Sequence, residues 1–268
     1  MKSPDDYSQM QKSFYDNALV SADDIVGSYD WHENFPYETN LLYRYADIRL
    51  PIFSETASLQ ALDVGCGPGR MVARMQRYFR TVDGVDISPR LLEIALRKNP
   101  KNRFFESSGA DLGAAPSDTY DFVYSTIALQ HVAVNSVRQR ILFHIRRVLK
   151  PGGKFTLQFA FLDTWPYRIR NYGWLLSRLH LARAERISTH AEWSDDKTDA
   201  TATNGLCDVA LGPESLKTAQ NEFERIFDGA VEYWFHDIRI YQKNLRGTKH
   251  VDYWASHWIF FHGSKPMH

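Results

Sequence analysis

Cysteine is scarce in this chain. Only Cys66 and Cys207 occur among 268 residues. Two thiols cannot build a disulfide framework or a four-cysteine zinc site, so a reduced, cytoplasmic setting is expected. Long apolar runs are also missing. None approaches the roughly 18 residues that a membrane helix needs, so no membrane span is expected. The opening MKSPDDYSQM is polar and acidic and lacks the apolar core of a secretory signal. Neither sign of charge is in excess, with 32 Lys plus Arg against 32 Asp plus Glu. That balance argues against a broad electrostatic grip on nucleic acid, although a local basic patch stays open. No repeat or low-complexity tract occurs, and 44% hydrophobic with 24% charged residues is ordinary globular usage, which excludes a fibre or a disordered chain. No His, Cys, Asp and Glu grouping has metal-ligand spacing, so no metal is expected. Asp195, Asp196 and Asp199 sit in a linker-like stretch that reads as a loop.

What the chain does have is a strand–helix rhythm between residues 56 and 160. Leu59 to Val64 is a short apolar run ending in glycines, a buried-strand signal. Met71, Val72, Met75, Tyr78 and Phe79 follow at helical spacing. Thr81 to Asp86 is a second strand. Ser88-Pro89 then opens a helix, with serine as N-cap and proline in the first helical position. Arg103 to Glu106 and Tyr120 to Thr126 are further strands. Val137, Ile141, Leu142, Ile145, Val148 and Leu149 mark an amphipathic helix. Lys150-Pro151-Gly152-Gly153 stops it before a fifth strand, Lys154 to Phe161. Alternation of this kind builds a doubly wound, mostly parallel α/β sheet, which binds ligands at the carboxyl ends of its strands. Residues 1–55 form an aromatic-rich, helical N-terminal cap. Residues 161–212 break the rhythm as an inserted lid. Residues 213–268 add one helix and an antiparallel strand pair, Val231 to Tyr241 and Tyr253 to His262, and the whole is expected to be one domain.

The strongest local signal is Leu62-Asp63-Val64-Gly65-Cys66-Gly67-Pro68-Gly69. Its glycines let backbone turn sharply and approach a ligand without a Cβ in the way. A dinucleotide fingerprint wants its third glycine where Arg70 stands, so a pyrophosphate cofactor is disfavoured and an amino-acid moiety suits the turn better. Asp86, ending the second strand, can accept hydrogen bonds from both ribose hydroxyls. Cys66 reads as a small turn residue.

The series DVGCGPG, GVDIS, GADL, YDFVYS and RVLKPGG resembles the motifs of class I S-adenosylmethionine-dependent methyltransferases, in the right order over roughly residues 56–160. The resemblance implies a seven-stranded Rossmann-like sheet and S-adenosyl-L-methionine as cofactor, with S-adenosyl-L-homocysteine as product. Position by position, it implies that Asp63, Gly65, Cys66, Gly67 and Gly69 line the methionine part. Asp86 would hold the ribose, and Ile87 would pack on adenine. Asp111 would face the adenine amino group beside Leu112. Ser125 through His131, Gln130 included, would border the transferred methyl. Arg44 would pair with the cofactor carboxylate.

His131 is the candidate catalytic residue. It follows the fourth strand, and a histidine there can take the proton of a hydroxyl that attacks the methyl, a role worth on the order of 10²–10⁴-fold. Other histidines (His190, His236, His257) are poorer candidates. In the insert, Trp165, Tyr167, Arg168 and Arg170 interleave aromatics with arginines, which suits sugar rings and anionic groups in a substrate site. The same composition suits peripheral contact with a membrane surface, or a solvated helix with an apolar underside. The expected acceptor is a small-molecule or glycan hydroxyl, from a loose likeness of STIALQHV and RVLKPGG to enzymes of polysaccharide and glycosylated-metabolite pathways. A natural-product amine or phenol, or a cofactor-binding protein without catalysis, are the alternatives. No nucleic acid is expected, because Ser125-Thr126-Ile127-Ala128 stands where base-amine methyltransferases carry an Asn/Asp-Pro-Pro-aromatic motif.

Overall fold

Apolar runs too short and too continuous for amphipathic helices become central strands, because a parallel strand is covered on both faces. A computed structural model describes residues 4–17, 36–44, 56–161, 193–194, 209–236 and 257–267. Its helices are α1 (Pro4–Asn17), α2 (Tyr37–Leu41), α3 (Arg70–Met75), α4 (Pro89–Lys98), α5 (Asn135–Val148) and α6 (Pro213–Phe227). Its strands are β1 (Gln60–Val64), β2 (Thr81–Asp86), β3 (Phe104–Glu106), β4 (Tyr120–Ser125), β5 (Leu149–Phe161), β6 (Ala210–Leu211), β7 (Glu232–His236) and β8 (His257–Ser264). In β1, β2 and β4 nearly every residue is buried.

The sheet runs β3-β2-β1-β4-β5-β8-β7. The first five strands are parallel, and β8 lies antiparallel between β5 and β7. This is the doubly wound, mostly parallel architecture expected from the rhythm. The strand order reverses between β1 and β4, so the ligand crevice of such a sheet lies outside the carboxyl ends of these strands. Two-residue β6 was not anticipated. It adds to the end of β5 through Ala160↔Ala210 and Phe161↔Leu211.

The Lys150–Gly153 stop does more than end α5. Strand geometry already starts at Leu149, and the register slips between Tyr120 and Phe122. The extra residues pair with the chain's last segment: Gly152 N donates to Lys265 O at 2.9 Å and Lys265 N to Gly153 O at 2.9 Å.

Each sheet face carries its own core. One joins α5 and α6 to β4, β5 and β8, with the Phe223 and Phe261 rings stacked at 4.7 Å. The other joins α2 and α3 to β1, β2, β4 and β8 through Tyr37, Leu41, Met71, Met75, Phe122 and Trp258. Trp193, from the stretch read as an inserted lid, is fully buried in the first core. Its ring meets Phe159 and Phe223, its Nε1–H donates to Glu222 at 3.1 Å, and the Arg138 guanidinium lies 4.6 Å from its centre. Among the described residues, no helix is long and apolar enough to cross a membrane.

Candidate active site

The glycine-rich turn leaves β1 and enters α3. Its amides are consumed locally. Gly65 N and Cys66 N both donate to Val85 O (2.8 and 3.0 Å), Gly67 N donates to Asp86 Oδ2 (2.8 Å), and Gly69 N donates to Cys66 O (3.0 Å). A pyrophosphate site needs such amides free to bind oxygen. The three glycines differ in surroundings. A Cβ on Gly65 would stand 2.1 Å from the Ala128 Cβ, and one on Gly69 would press on Asn99 and Ala95. On Gly67, itself buried at φ 51°, it would meet no described atom within 4 Å. Of the three, Gly67 alone has room beside its bare backbone among the described residues. Cys66 is buried behind it, and burial, with Asp86 and Asp63 nearby, pushes its thiol well up, away from a nucleophilic thiolate.

Asp86 ends β2 beside this turn. Its carboxylate accepts from Gly67 N and, at 2.9 Å, from Ser88 N. Burial pushes the carboxyl upward, the amides of Ser88, Gly67 and Ile87 pull it back, and nearby Asp16 adds to the upward push. Ser88 caps α4 as expected, accepting from Leu91 N at 3.2 Å. Asp63, near the end of β1, is 1% exposed. Neither of its oxygens has a hydrogen bond of ordinary geometry. Burial and then the Asp86 charge push its carboxyl well up, while the adjacent Tyr124 hydroxyl works against them.

The loop after β3 lies beyond Asp86. Partial burial pushes the Asp111 carboxyl up, but the Ser108 hydroxyl and the Gly113 and Ser108 amides outweigh it and hold it below its ordinary range. Ile87 reaches Gly109 with its Cδ1. The Leu112 side chain is packed in the core.

The segment after β4 closes the other side. Ser125 Oγ donates to Val64 O at 2.7 Å, tying the β4 tip to the β1 tip. Ile127 has φ 65°, and Ala128 N donates back to Thr126 O at 2.7 Å, closing a three-residue turn of a strained kind. Buried Gln158 on β5 takes the Ile127 N–H at 2.7 Å. Gln130 is buried, lies 3.4 Å from Gln158 Nε2, and its carbonyl accepts from Val209 N at 2.6 Å. A single 3₁₀ turn, Leu129–His131, presents His131 half-buried, with its Nδ1 inside.

Helix α1 crosses these tips, and the sequence did not single it out. The Tyr7 hydroxyl donates to His131 O (3.2 Å) and accepts from Ala133 N (2.8 Å) and Gln11 Nε2 (2.9 Å). Gln11 also donates to His131 O at 2.9 Å. Lys12 pairs with Glu106 at the end of β3, and Asp16 accepts from Ser88 Oγ at 2.6 Å. Only the four-residue step from Tyr7 to Gln11 in α1 hints that one face carries these groups.

Arg44 is a correction. It forks onto Glu232 of β7, which pairs with His262, itself opposite Thr156 of β5. That places Arg44 on the β7 edge, four strands across the sheet from β1, where Thr156 Oγ1 donates to Leu41 O. Trp165, Tyr167, Arg168, Arg170 and His190 lie outside the described residues. His236 bonds Asn40 at 3.2 Å on the β7 edge. Among the described residues no group of His, Cys, Asp and Glu could hold a metal.

The strand order, with antiparallel β8 beside β5, is the Rossmann-like fold that methyltransferases share. Residues 62–157 match the family model described as "Methyltransferase domain". The chain is 36% identical over 104 residues to demethylmenaquinone methyltransferase of Tropheryma whipplei, covering 38% of this chain and 42% of that one. It is 32% identical over 117 residues to the ubiquinone biosynthesis O-methyltransferase of Xanthomonas oryzae pv. oryzae, covering 42% and 46%. Both matches span less than half of the relative's length. In structure it is similar to phosphoethanolamine N-methyltransferase 2 of Haemonchus contortus, solved with S-adenosyl-L-methionine, at TM-score 0.60 and 17% identity over 96% of this chain and 60% of that one. The residues present fit S-adenosyl-L-methionine, the ligand of that neighbour: bare backbone at Gly67, a buried carboxylate at Asp63 with no ordinary hydrogen-bond partner among the described residues, and a carboxylate at the β2 tip in Asp86.

Proposed function

We propose that this protein transfers the methyl group of S-adenosylmethionine to a hydroxyl of a small-molecule acceptor, with a sugar or glycan as the first class to test. The observation that carries the donor half is the open Gly67 backbone flanked by Asp63 and Asp86 on adjacent strand tips. Asp86 would accept from the ribose hydroxyls, and Asp63 would face the methionine ammonium. Ile87, Asp111 and the Gly109 loop would border the adenine. When bound, the cofactor supplies a methyl on a sulfonium, already an activated electrophile.

The protein's own work is then to place the acceptor and to remove its proton. His131 is the base in this reading. Nδ1 is buried, and Nε2 is the nitrogen this reading assigns to the hydroxyl proton. Tyr7 and Gln11 hold its carbonyl, and the 3₁₀ turn holds its backbone, so the ring has a fixed mount. Trp165, Tyr167, Arg168 and Arg170 are proposed for the acceptor by composition. A second reading, a quinone-type phenol as acceptor, is favoured by the names of the two relatives above.

The test is mass spectrometry of an acceptor panel, glycans first and phenols second, after incubation with the donor. A gain of one methylene names the class. His131→Ala should slow that transfer by roughly 10²–10⁴-fold while S-adenosylhomocysteine affinity stays within about twofold. Unchanged turnover in His131→Ala removes the base role. A wild-type protein that binds neither donor nor product removes the whole reading.

A further inference from the structure

We infer that Tyr124 is a donor-binding residue: its hydroxyl and the Asp63 carboxylate form one seat for the α-ammonium of the methyl donor. The inference rests on the donor reading above and adds a residue to it. Asp63 and Tyr124 are register partners on the parallel pair β1 and β4. Their side chains are 1% and 0% exposed. No described group outside the pair gives these three atoms a hydrogen bond of ordinary geometry, and the phenol's contact with Asp63 is what pulls that carboxyl down. A buried carboxylate with only a phenol beside it is uncommon, since buried charges are normally paired.

The missing partner has a definable chemistry. A carboxylate only accepts when ionised, and a phenol accepts as well as donates. Together they suit a cation with several N–H donors, which is an ammonium. Among the described residues the neighbours supply no cation. From β2 comes the Asp86 carboxylate, from the turn the Cys66 thiol, and from α2 the Glu38 carboxylate. Arg74 of α3 is forked onto Glu38, with Nε at 2.6 Å from Oε1. A phenylalanine at 124 would fill the same space in the apolar stack with Phe122, so the hydroxyl is what needs a reason. The turn directly above is the open one, at Gly67.

The experiment is calorimetry of S-adenosylhomocysteine, which keeps the α-ammonium, on full-length wild type and Tyr124→Phe between about pH 5.5 and 8.5. Tyr124→Phe should bind at least about tenfold more weakly near neutrality. Its affinity should also fall at a higher pH on acidification, because the hydroxyl that helps keep Asp63 ionised is gone. 5′-Methylthioadenosine, which has no amino-acid moiety, should bind both proteins alike. Equal affinity and equal pH profile for S-adenosylhomocysteine, with only a lowered melting temperature, overturns the inference and leaves a packing role. If wild type binds no S-adenosylhomocysteine, the donor reading falls. The pair is then judged by ¹³C titration of the Asp63 carboxyl in the free protein: an upward midpoint in Tyr124→Phe upholds the coupling, and an unmoved midpoint overturns it.

Discussion

Gly65 and Gly67 occupy the same turn for different reasons. Gly65 has no room, since a methyl there would overlap Ala128. Gly67 has room but must stay bare to let a ligand approach. Gly65→Ala should therefore lower stability by about 1–3 kcal/mol through overpacking between the β1 and β4 tips, read as a lower denaturation midpoint. Gly67→Ala, strained by its φ of 51°, should cost only about 1–2 kcal/mol. It should weaken S-adenosylhomocysteine binding much more than Gly65→Ala, and calorimetry of the two variants reads the contrast directly. The spacing of the glycines was legible in the sequence. Which one faces the ligand was not, because that depends on where the sheet brings Ala128, 63 residues after Gly65 in the chain.

At the scale of elements, α1 joins parts of the site that the chain places far apart. It touches the α4 cap through Ser88, the β3 tip through Glu106, and the His131 segment through Tyr7 and Gln11. Tyr7→Phe keeps the buried ring and removes the hydroxyl, leaving the Ala133 N–H without its acceptor. We expect a loss of about 1–3 kcal/mol in urea unfolding. Hydrogen exchange at Ala133 should quicken by a matching factor, and exchange in β1 should stay slow. The N-cap at Ser88, the α5 stripe and all five parallel strands could be read from local pattern, since each is specified by residues within a few positions. α1's role could not, because the partners of Tyr7 and Gln11 lie more than a hundred residues away. Arg44 failed for the same reason: Glu232, its actual partner, is equally remote in the chain.

The whole molecule has a pH-dependent tie at the other end of the sheet. His262 on β8 is 8% exposed and lies 3.0 Å from Thr156 Oγ1. That hydroxyl gives its proton to Leu41 O, so it accepts from His262 Nδ1. The residue borders a cavity of about 270 Å³ with Lys154, Val231 and Glu232, in the amino-terminal half of β5. Burial pushes the His262 imidazolium down to about 4, from 6.5, against the pull of Glu232. Between those two values the unfolded chain takes up a proton that the folded chain refuses. Stability from this group is therefore complete above about pH 6.5, falls as pH drops toward about 4, and levels off below. The size is on the order of 3 kcal/mol. His262→Gln should flatten that part of the stability–pH curve in urea titrations, and a curve of unchanged slope would show that the histidine is not its source.

Alternation of apolar and polar residues, the caps and the glycine turn are short-range features, and they were enough to determine the doubly wound sheet and the positions of Asp63, Gly67 and Asp86 at its strand tips. Local sterics and burial decide such things within a dozen residues. Tertiary structure alone decided which groups meet: Tyr124 with Asp63, Tyr7 with His131, Arg44 with Glu232 and Trp193 with Arg138. These pairings arise only after the parallel crossovers stack distant strands in register, and side-chain chemistry in the linear chain carries no record of that distance.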